Sequence, residues 1–362
     1  MTPVLLVGDY PPPMGGIAVH VRQLHDALVR RGARVRGIDL GRAAGVHPQV
    51  RRARPGPALL GALVEEKEAV THLHTSGNNP RSLAVVAGVG LLRSGKGPSV
   101  VTLHSGLLPA FLAHSKARRI AARAALAPYA RIIAVSEAVA AALHAAGVDG
   151  SRIRVHPAFV ASEVRPAALD PALDSALTDR LAARRPLVAY AHHPSKVYGR
   201  ALFLEALARV RARRPGLTAV IYGPGTDAPE FAADVRAAGV AGALEVVGEL
   251  EHPVALGVMA ACDLFVRPTL ADGDAISVRE ALALGVRCVA SDASARPSGV
   301  TCFETGSVSS LARAIDAALE APAASDAGPD AADFLLQQYA QAWAGHRPGI
   351  LHHERFLKGG TQ

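Results

Sequence analysis

Eleven short apolar runs recur along the chain with helix-patterned segments between them. They lie at 4–7, 35–38, 69–73, 99–103, 132–135 and 153–155 in the first half, and at 187–191, 218–222, 244–247, 263–266 and 287–290 in the second. Strands separated by helices cannot pair as hairpins; they pair in parallel, with helices on both faces of the sheet. The expected fold class is therefore α/β, with two facing doubly wound, Rossmann-like domains. An Ala/Asp/Pro-rich helical segment at 166–185 marks the boundary, dividing the chain into 1–165 and 166–330. A loop over 321–329 and an amphipathic helix over 331–344 follow, within a closing segment 331–362.

The 362 residues suffice for two domains with full cores. Half of them are hydrophobic, yet the longest apolar stretch, 83–92, is too short to span a bilayer. The first residues read as a buried strand without a basic n-region or cleavage site, so a cytoplasmic protein is expected. Cys262, Cys288 and Cys302 have no metal-ligand spacing and are expected as reduced thiols. Charge divides unevenly: residues 1–180 hold 22 Lys and Arg against 12 Asp and Glu (+10), and 181–362 hold 17 against 19 (−2). The basic half suits an anionic surface, such as the inner face of a membrane, or solvated helix faces. Aromatic residues are only 4% and do not alternate with basic ones, so no nucleic-acid partner is expected.

Residues 264–292 carry the strongest chemical signal. The apolar run at Leu264 to Val266 ends in a loop with Asp272, then Gly273 and the candidate N-cap Asp274 open a helix that stops at Gly285. A helix start at a strand's carboxyl end offers free N–H groups to a phosphate. Glu280 follows Asp272 by eight residues, so one anionic ligand with hydroxyls on either side, such as a nucleotide sugar, fits this stretch. It could also be an ordinary strand-to-helix turn, or Asp272-Gly273-Asp274 could be a metal-binding Asp-x-Asp.

With its neighbours Pro268-Thr269, Glu280-Ala281-x-Ala283-x-Gly285 and Val289-Ala290-Ser291, the stretch resembles the Glu-x7-Glu signature of the retaining GT-B glycosyltransferases, in particular their fourth family. Here it is Asp272-x7-Glu280. The resemblance implies hexosyl transfer from a nucleotide-sugar donor to a hydroxyl acceptor, with retention of configuration, no metal and no cofactor. It implies that Asp272 binds the donor sugar, Glu280 the ribose, and the amides of Gly273, Asp274 and Ala275 the diphosphate. Pro12-Pro13-Met14-Gly15-Gly16, followed by His20, resembles the family's first loop, in which Gly15 and Gly16 approach the donor phosphate and the acceptor. His104, at the end of Val101-Thr102-Leu103, resembles the family's histidine beside the reacting carbon. His20, His74 and Asn78 are the candidates for the acceptor side, and Ser136 for a helix cap.

One departure stands out. The family places an Arg and, five residues on, a Lys where this chain reads His192-His193-Pro194-Ser195-Lys196-Val197-Tyr198-Gly199-Arg200. Lys196 is the candidate cation for the leaving diphosphate, helped by Arg200, His192 or Arg267. The altered pair keeps two alternatives open, a sugar-nucleotide epimerase of the same fold and a non-catalytic nucleotide-sugar-binding partner of another transferase. Finally, 109–128 reads as one basic helix with Phe111, Leu112, Ile120 and Leu126 among Lys116, Arg118, Arg119 and Arg123. It could dock on anionic lipid and hold a lipid-linked acceptor, in polysaccharide, glycolipid or natural-product synthesis, or be a solvated surface helix.

Overall fold

The computed structural model describes residues 3–12, 15–41, 49–164, 175–323 and 330–346. Its first sheet is formed by β1 (Val4–Gly8), β2 (Val35–Asp39), β3 (Val50–Arg52), β4 (Val70–Thr75), β5 (Ser99–Leu103), β6 (Arg131–Ala134) and β7 (Ile153–Val155). They pair in parallel in the order β3-β2-β1-β4-β5-β6-β7. The helices of this half are α1 (Gly16–Arg30), α2 (Pro57–Glu65), α3 (Pro80–Arg93), α4 (Leu108–Ala113), α5 (Lys116–Leu126) and α6 (Glu137–Ala145). After α7 (Ser175–Ala182), the second sheet is built from β8 (Leu187–Ala191), β9 (Thr218–Tyr222), β10 (Leu244–Gly248), β11 (Leu264–Arg267), β12 (Arg287–Ser291) and β13 (Val300–Phe303). Its order is β10-β9-β8-β11-β12-β13, again parallel. Its helices are α8 (Arg200–Arg211), α9 (Pro229–Ala237), α10 (His252–Ala260), α11 (Ile276–Ala283) and α12 (Val308–Glu320), and α13 (Ala331–Gly345) closes the described chain.

Each strand feeds two cores because its side chains alternate between faces. In β1, Leu5 and Val7 enter one core and Val4 and Leu6 the other. In β8, Val188 and Tyr190 face one side and Leu187 and Ala189 the opposite one. Helix α13 packs on α1 and β4, so Ala331, Ala332, Leu335 and Tyr339 complete the core that holds Val4 and Leu6.

Each of the eleven apolar runs coincides with a strand to within a residue at its start or end, or lies inside one; β3 and β13 were not anticipated. Both are edge strands with a single neighbour, and their residues are mostly half-exposed or exposed, so neither needs a continuous apolar run. The single basic helix expected over 109–128 is two helices. Ser115 accepts a hydrogen bond from Arg118 N at 3.2 Å and starts α5 anew, while the Arg118 and Arg119 guanidiniums reach the Phe111 and Leu112 carbonyls of α4. Of the expected boundary segment, 165–174 lies outside the described residues, as do 324–329 of the expected loop and Pro13 and Met14 of the first glycine loop. No helix among the described residues is long and apolar enough to cross a membrane.

Candidate active site

The order of each sheet reverses direction beside its first strand, between β1 and β4 and between β8 and β11. In doubly wound sheets ligands bind outside the carboxyl ends of strands at such a point. Here the two points face each other across a cleft of about 350 Å³. The first half contributes Gly15 and Gly16 after β1, Ser76 after β4 and His104 after β5. From the second half come His192 and His193 after β8, Tyr222 ending β9 and Gly223 after it, and from the turn between β11 and α11 Arg267 and the stretch Asp272 to Ser277. A Cβ on Gly15 or Gly16 would meet no protein atom within 4 Å, so these glycines border open space.

That turn is built around charge. Asp272 Oδ2 accepts from Thr269 Oγ1 at 2.9 Å and from the guanidiniums of Arg296 at 3.2 Å and Arg267 at 3.3 Å. Burial works against ionisation of Asp272, but the two arginines outweigh it and hold its carboxyl below the usual range. Arg267 also stacks on the Tyr198 ring, 4.6 Å from its centroid. Asp274 does not cap the helix as the sequence suggested: Ala275 is the N-cap, with no side-chain cap bond. Asp274 instead meets Arg279 Nε at 2.7 Å; burial nevertheless pushes its carboxyl up. Glu280, 5% exposed, meets His252 Nε2 at 2.8 Å from the first turn of α10. Burial alone would lower His252, but Glu280 raises it above 6.5. Helix α11 ends in a Schellman motif, with Gly285 at φ +70, Gly285 N donating to Leu282 O and Val286 N to Ala281 O.

Two glycines let the halves touch main chain to main chain. A Cβ at Gly106 would lie 1.7 Å from the Asp272 carbonyl oxygen, and one at Gly273 would lie 2.4 Å from that of His104. No side chain larger than hydrogen fits at either place. Gly199, at φ +74, lies equally close to Pro268 and sets the β8 loop against the β11 loop.

The opposite wall is uncharged. His74 Nδ1 and His104 Nε2 share a hydrogen bond at 3.1 Å, and the His20 ring sits 5.2 and 5.3 Å from theirs. Behind them His72 bonds Tyr339 Oη at 2.5 Å and Thr102 Oγ1 at 2.8 Å. Burial lowers all four imidazoles, His20 to about 3, so they are neutral at pH 7. Among the described residues, His20, His74 and His104 are the one group whose ligand atoms lie mutually within 4.8 Å, the spacing a metal ion would need. The shared proton between two of them makes the contact a hydrogen bond as it stands.

Of the candidates named from sequence, Gly15, Gly16, His104, Arg267, Asp272, Gly273, Asp274, Ala275 and Glu280 line the cleft. His20 and His74 stand just behind His104, and Asn78 donates to Ser105 Oγ at 3.0 Å. Lys196 is exposed outside the lining, and Arg200 pairs with Asp234 at 2.5 Å. His192 lines the cleft, held down to about 4 by burial. His252, Arg296 and Gly106 were missed. Each acts on the signature from a distant part of the chain, and only the alternation of helices and strands hinted at their nearness. Cys262 and Cys288 are buried, their thiols pushed up to about 12, and all three cysteines are free.

Comparison with known proteins adds to this geometry. The model of Glycosyltransferase Family 4 matches residues 14–164, and that of Glycosyl transferases group 1 matches residues 183–321. Among solved structures, Anabaena Alr3699/HepE in complex with UDP-glucose superposes with a TM-score of 0.73 at 21% identity, over 95% of this chain and 100% of that one. The sucrose-phosphate synthase tll1590 from Thermosynechococcus elongatus gives 0.69 at 18% identity, over 96% and 100%. WaaG, a glycosyltransferase involved in lipopolysaccharide biosynthesis, gives 0.63 at 13% identity, over 88% and 90%. No curated protein matches the sequence.

Proposed function

Since the chain belongs to the glycosyltransferases of the GT-B fold, with a Family 4 segment followed by a group 1 segment, we propose that it transfers a hexosyl group from a UDP-sugar to a hydroxyl acceptor with retention of configuration. The observation that carries this reading is the convergence of the α11 amino terminus, Asp272, Glu280 and His104 on one cleft between the two sheets. UDP is the first nucleotide to test because HepE was solved with UDP and with UDP-glucose. In this reading Glu280, oriented by His252, takes the ribose hydroxyls, and Asp272 takes hydroxyls of the sugar. The N–H groups at the start of α11 hold the diphosphate together with Gly15 and Gly16. Arg267, one of the cations named beside Lys196, is the fixed cation next to the leaving group, since it lines the cleft while Lys196 lies outside the lining and Arg200 pairs with Asp234. A neutral His104 can donate a hydrogen bond to the sugar without adding charge. The departing phosphate takes the acceptor proton on the same face of the ring, while dipoles and Arg267 hold the developing charge. No step calls for a metal.

The test is incubation with UDP-, GDP- and dTDP-sugars and simple hydroxyl acceptors, with and without a chelator, followed by NMR of the product anomer. An α-linked product from an α-linked donor, formed equally in chelator, is expected. Inverted product, loss of activity in chelator restored by a metal, or formation of an epimer instead of a glycoside would overturn the reading.

A further inference from the structure

Three imidazoles on the neutral wall are brought together from different elements: His20 from α1, His74 from β4 and His104 from the loop after β5. Their own hydrogen bonds do not account for them. His72 shows what a satisfied buried histidine looks like in this core, with one ring nitrogen on Tyr339 Oη and the other on Thr102 Oγ1. His20 is 1% exposed, and neither of its ring nitrogens has a hydrogen bond of normal geometry. His74 is 2% exposed, and its Nε2 is unpartnered. Buried polar side chains are rarely left so, and three such nitrogens on two adjacent rings call for a further partner. Ligand nitrogens about 2.0–2.1 Å from a tetrahedral zinc ion stand about 3.3–3.4 Å apart. The 3.1 Å between His74 Nδ1 and His104 Nε2 has to open by only about 0.3 Å for this, and His20, within 4.8 Å of both, has to close by at most about 1.5 Å. The proton now shared by His74 and His104 then moves to the far nitrogen of the ring that carries it, so every ring stays a neutral imidazole, the form that binds metal. The Ala158 backbone approaches His20 from outside the group and can hold the N–H of the nitrogen that does not bind.

We propose that His20, His74 and His104 form a site for a zinc-like divalent ion, and that an ion bound there blocks glycosyl transfer. The group contains no carboxylate, so it suits Zn2+ and its first-row neighbours rather than Mg2+ or Ca2+, which take oxygen ligands. His104 lines the cleft and gives the ion its way in, and three imidazoles leave a fourth coordination position for water. The block has two causes. Coordination pins His104 through the nitrogen that now bonds His74, and it sets a double positive charge beside the sugar whose anomeric carbon becomes positive as the diphosphate departs. The site rests on the geometry of the three rings alone; the block rests on the transferase reading.

The test uses the full chain, freed of metal by dialysis against a chelator, with Zn2+ titrated by calorimetry, Co2+ by absorption and Mg2+ as the control. One Zn2+ should bind per chain, Co2+ should show the visible bands of a tetrahedral site, and Mg2+ should not bind. His20→Gln and His74→Gln should each weaken Zn2+ about tenfold or more, and His114→Gln, which alters an exposed histidine on the surface, should not change it. Melting curves without metal establish that each variant folds; His20 lies on α1 and His74 on β4, so one variant stands in for the other. Transfer by the wild type should fall about tenfold or more at one equivalent of Zn2+, with UDP still bound by the charged wall. The His20 and His74 variants, whatever their basal rate, should resist the same addition. Absence of Zn2+ binding overturns the site, and so does equal affinity in the wild type and both variants, which would assign the ion to surface histidines. Full transfer by the zinc-loaded wild type overturns the block. Failure of the metal-free wild type to transfer any sugar would count against the transferase reading alone.

Discussion

The two walls of the cleft are made of opposite materials. The second domain presents fixed charge, with Asp272 between Arg267 and Arg296, Asp274 against Arg279 and Glu280 against His252. The first domain presents imidazoles that burial keeps neutral. A diphosphate needs charge and dipoles, which the second-domain wall supplies, and a neutral wall can offer a sugar hydrogen bonds without adding charge. The ion pairs also carry a cost: removing one partner leaves the other buried and unbalanced. The charged wall should therefore respond to single substitutions more sharply than the neutral one.

The largest effect is expected at Arg267. Arg267→Gln removes the cation facing the leaving group but leaves Asp272 bonded to Arg296 and Thr269, so the fold should persist. Turnover should fall roughly 100-fold or more, with a smaller change in KM, as for other lost transition-state charge contacts. Steady-state kinetics with the best donor checks this, and an unchanged kcat would move the leaving group away from Arg267.

Gly106→Ala probes the contact between the walls themselves. The added methyl would lie 1.7 Å from the Asp272 carbonyl, so the two loops must separate. A displacement of roughly 1 Å at reacting groups can cost on the order of 100-fold. Activity should drop about tenfold or more while the melting transition of the protein changes little. Full activity would mean that catalysis does not use this contact.

Titration should separate the domains with a smaller effect. The four imidazoles of the first domain have depressed folded values, so their contribution is complete above pH 6.5 and is lost as pH falls below it. For His20, at about 3, this costs about 2 kcal/mol by pH 5. His252 behaves oppositely: its folded value is raised, so the pair with Glu280 is fully present below pH 6.5 and lost as pH rises through that folded value. Hydrogen exchange followed by domain should show the first sheet loosening in acid. Glu280→Gln should lower the melting temperature more at pH 6 than at pH 8.5. The same pH response in both sheets would break the contrast.

The fold was legible because buried parallel strands must be apolar along their whole length, and eleven of thirteen announced themselves that way. Val50–Arg52 and Val300–Phe303, at sheet edges, carry no such requirement and stayed hidden. Within the site, Asp272, Gly273, Glu280 and Gly285 are held by one continuous strand-loop-helix segment, so local spacing exposed them. His252 and Arg296 reach the same carboxylates from 28 and 24 residues away, and no local pattern signals such partners. Asp274 looked like a cap because aspartate commonly is one, but Arg279, five residues on, offered a buried charge partner and won the side chain. Arg200 was similarly drawn off, by Asp234.

The division between walls is tested most directly by titrating UDP alone, without a sugar, into the wild type, Glu280→Gln and His104→Ala. A charge-assisted hydrogen bond to a ribose hydroxyl contributes about 1.5–3 kcal/mol, so Glu280→Gln should weaken UDP binding by about tenfold or more. His104→Ala should leave UDP affinity unchanged and lower only transfer. Equal loss in both variants, or undiminished UDP binding by Glu280→Gln, would contradict the assignment of the ribose to Glu280 on the charged wall and of His104 on the neutral wall to the transferred sugar alone.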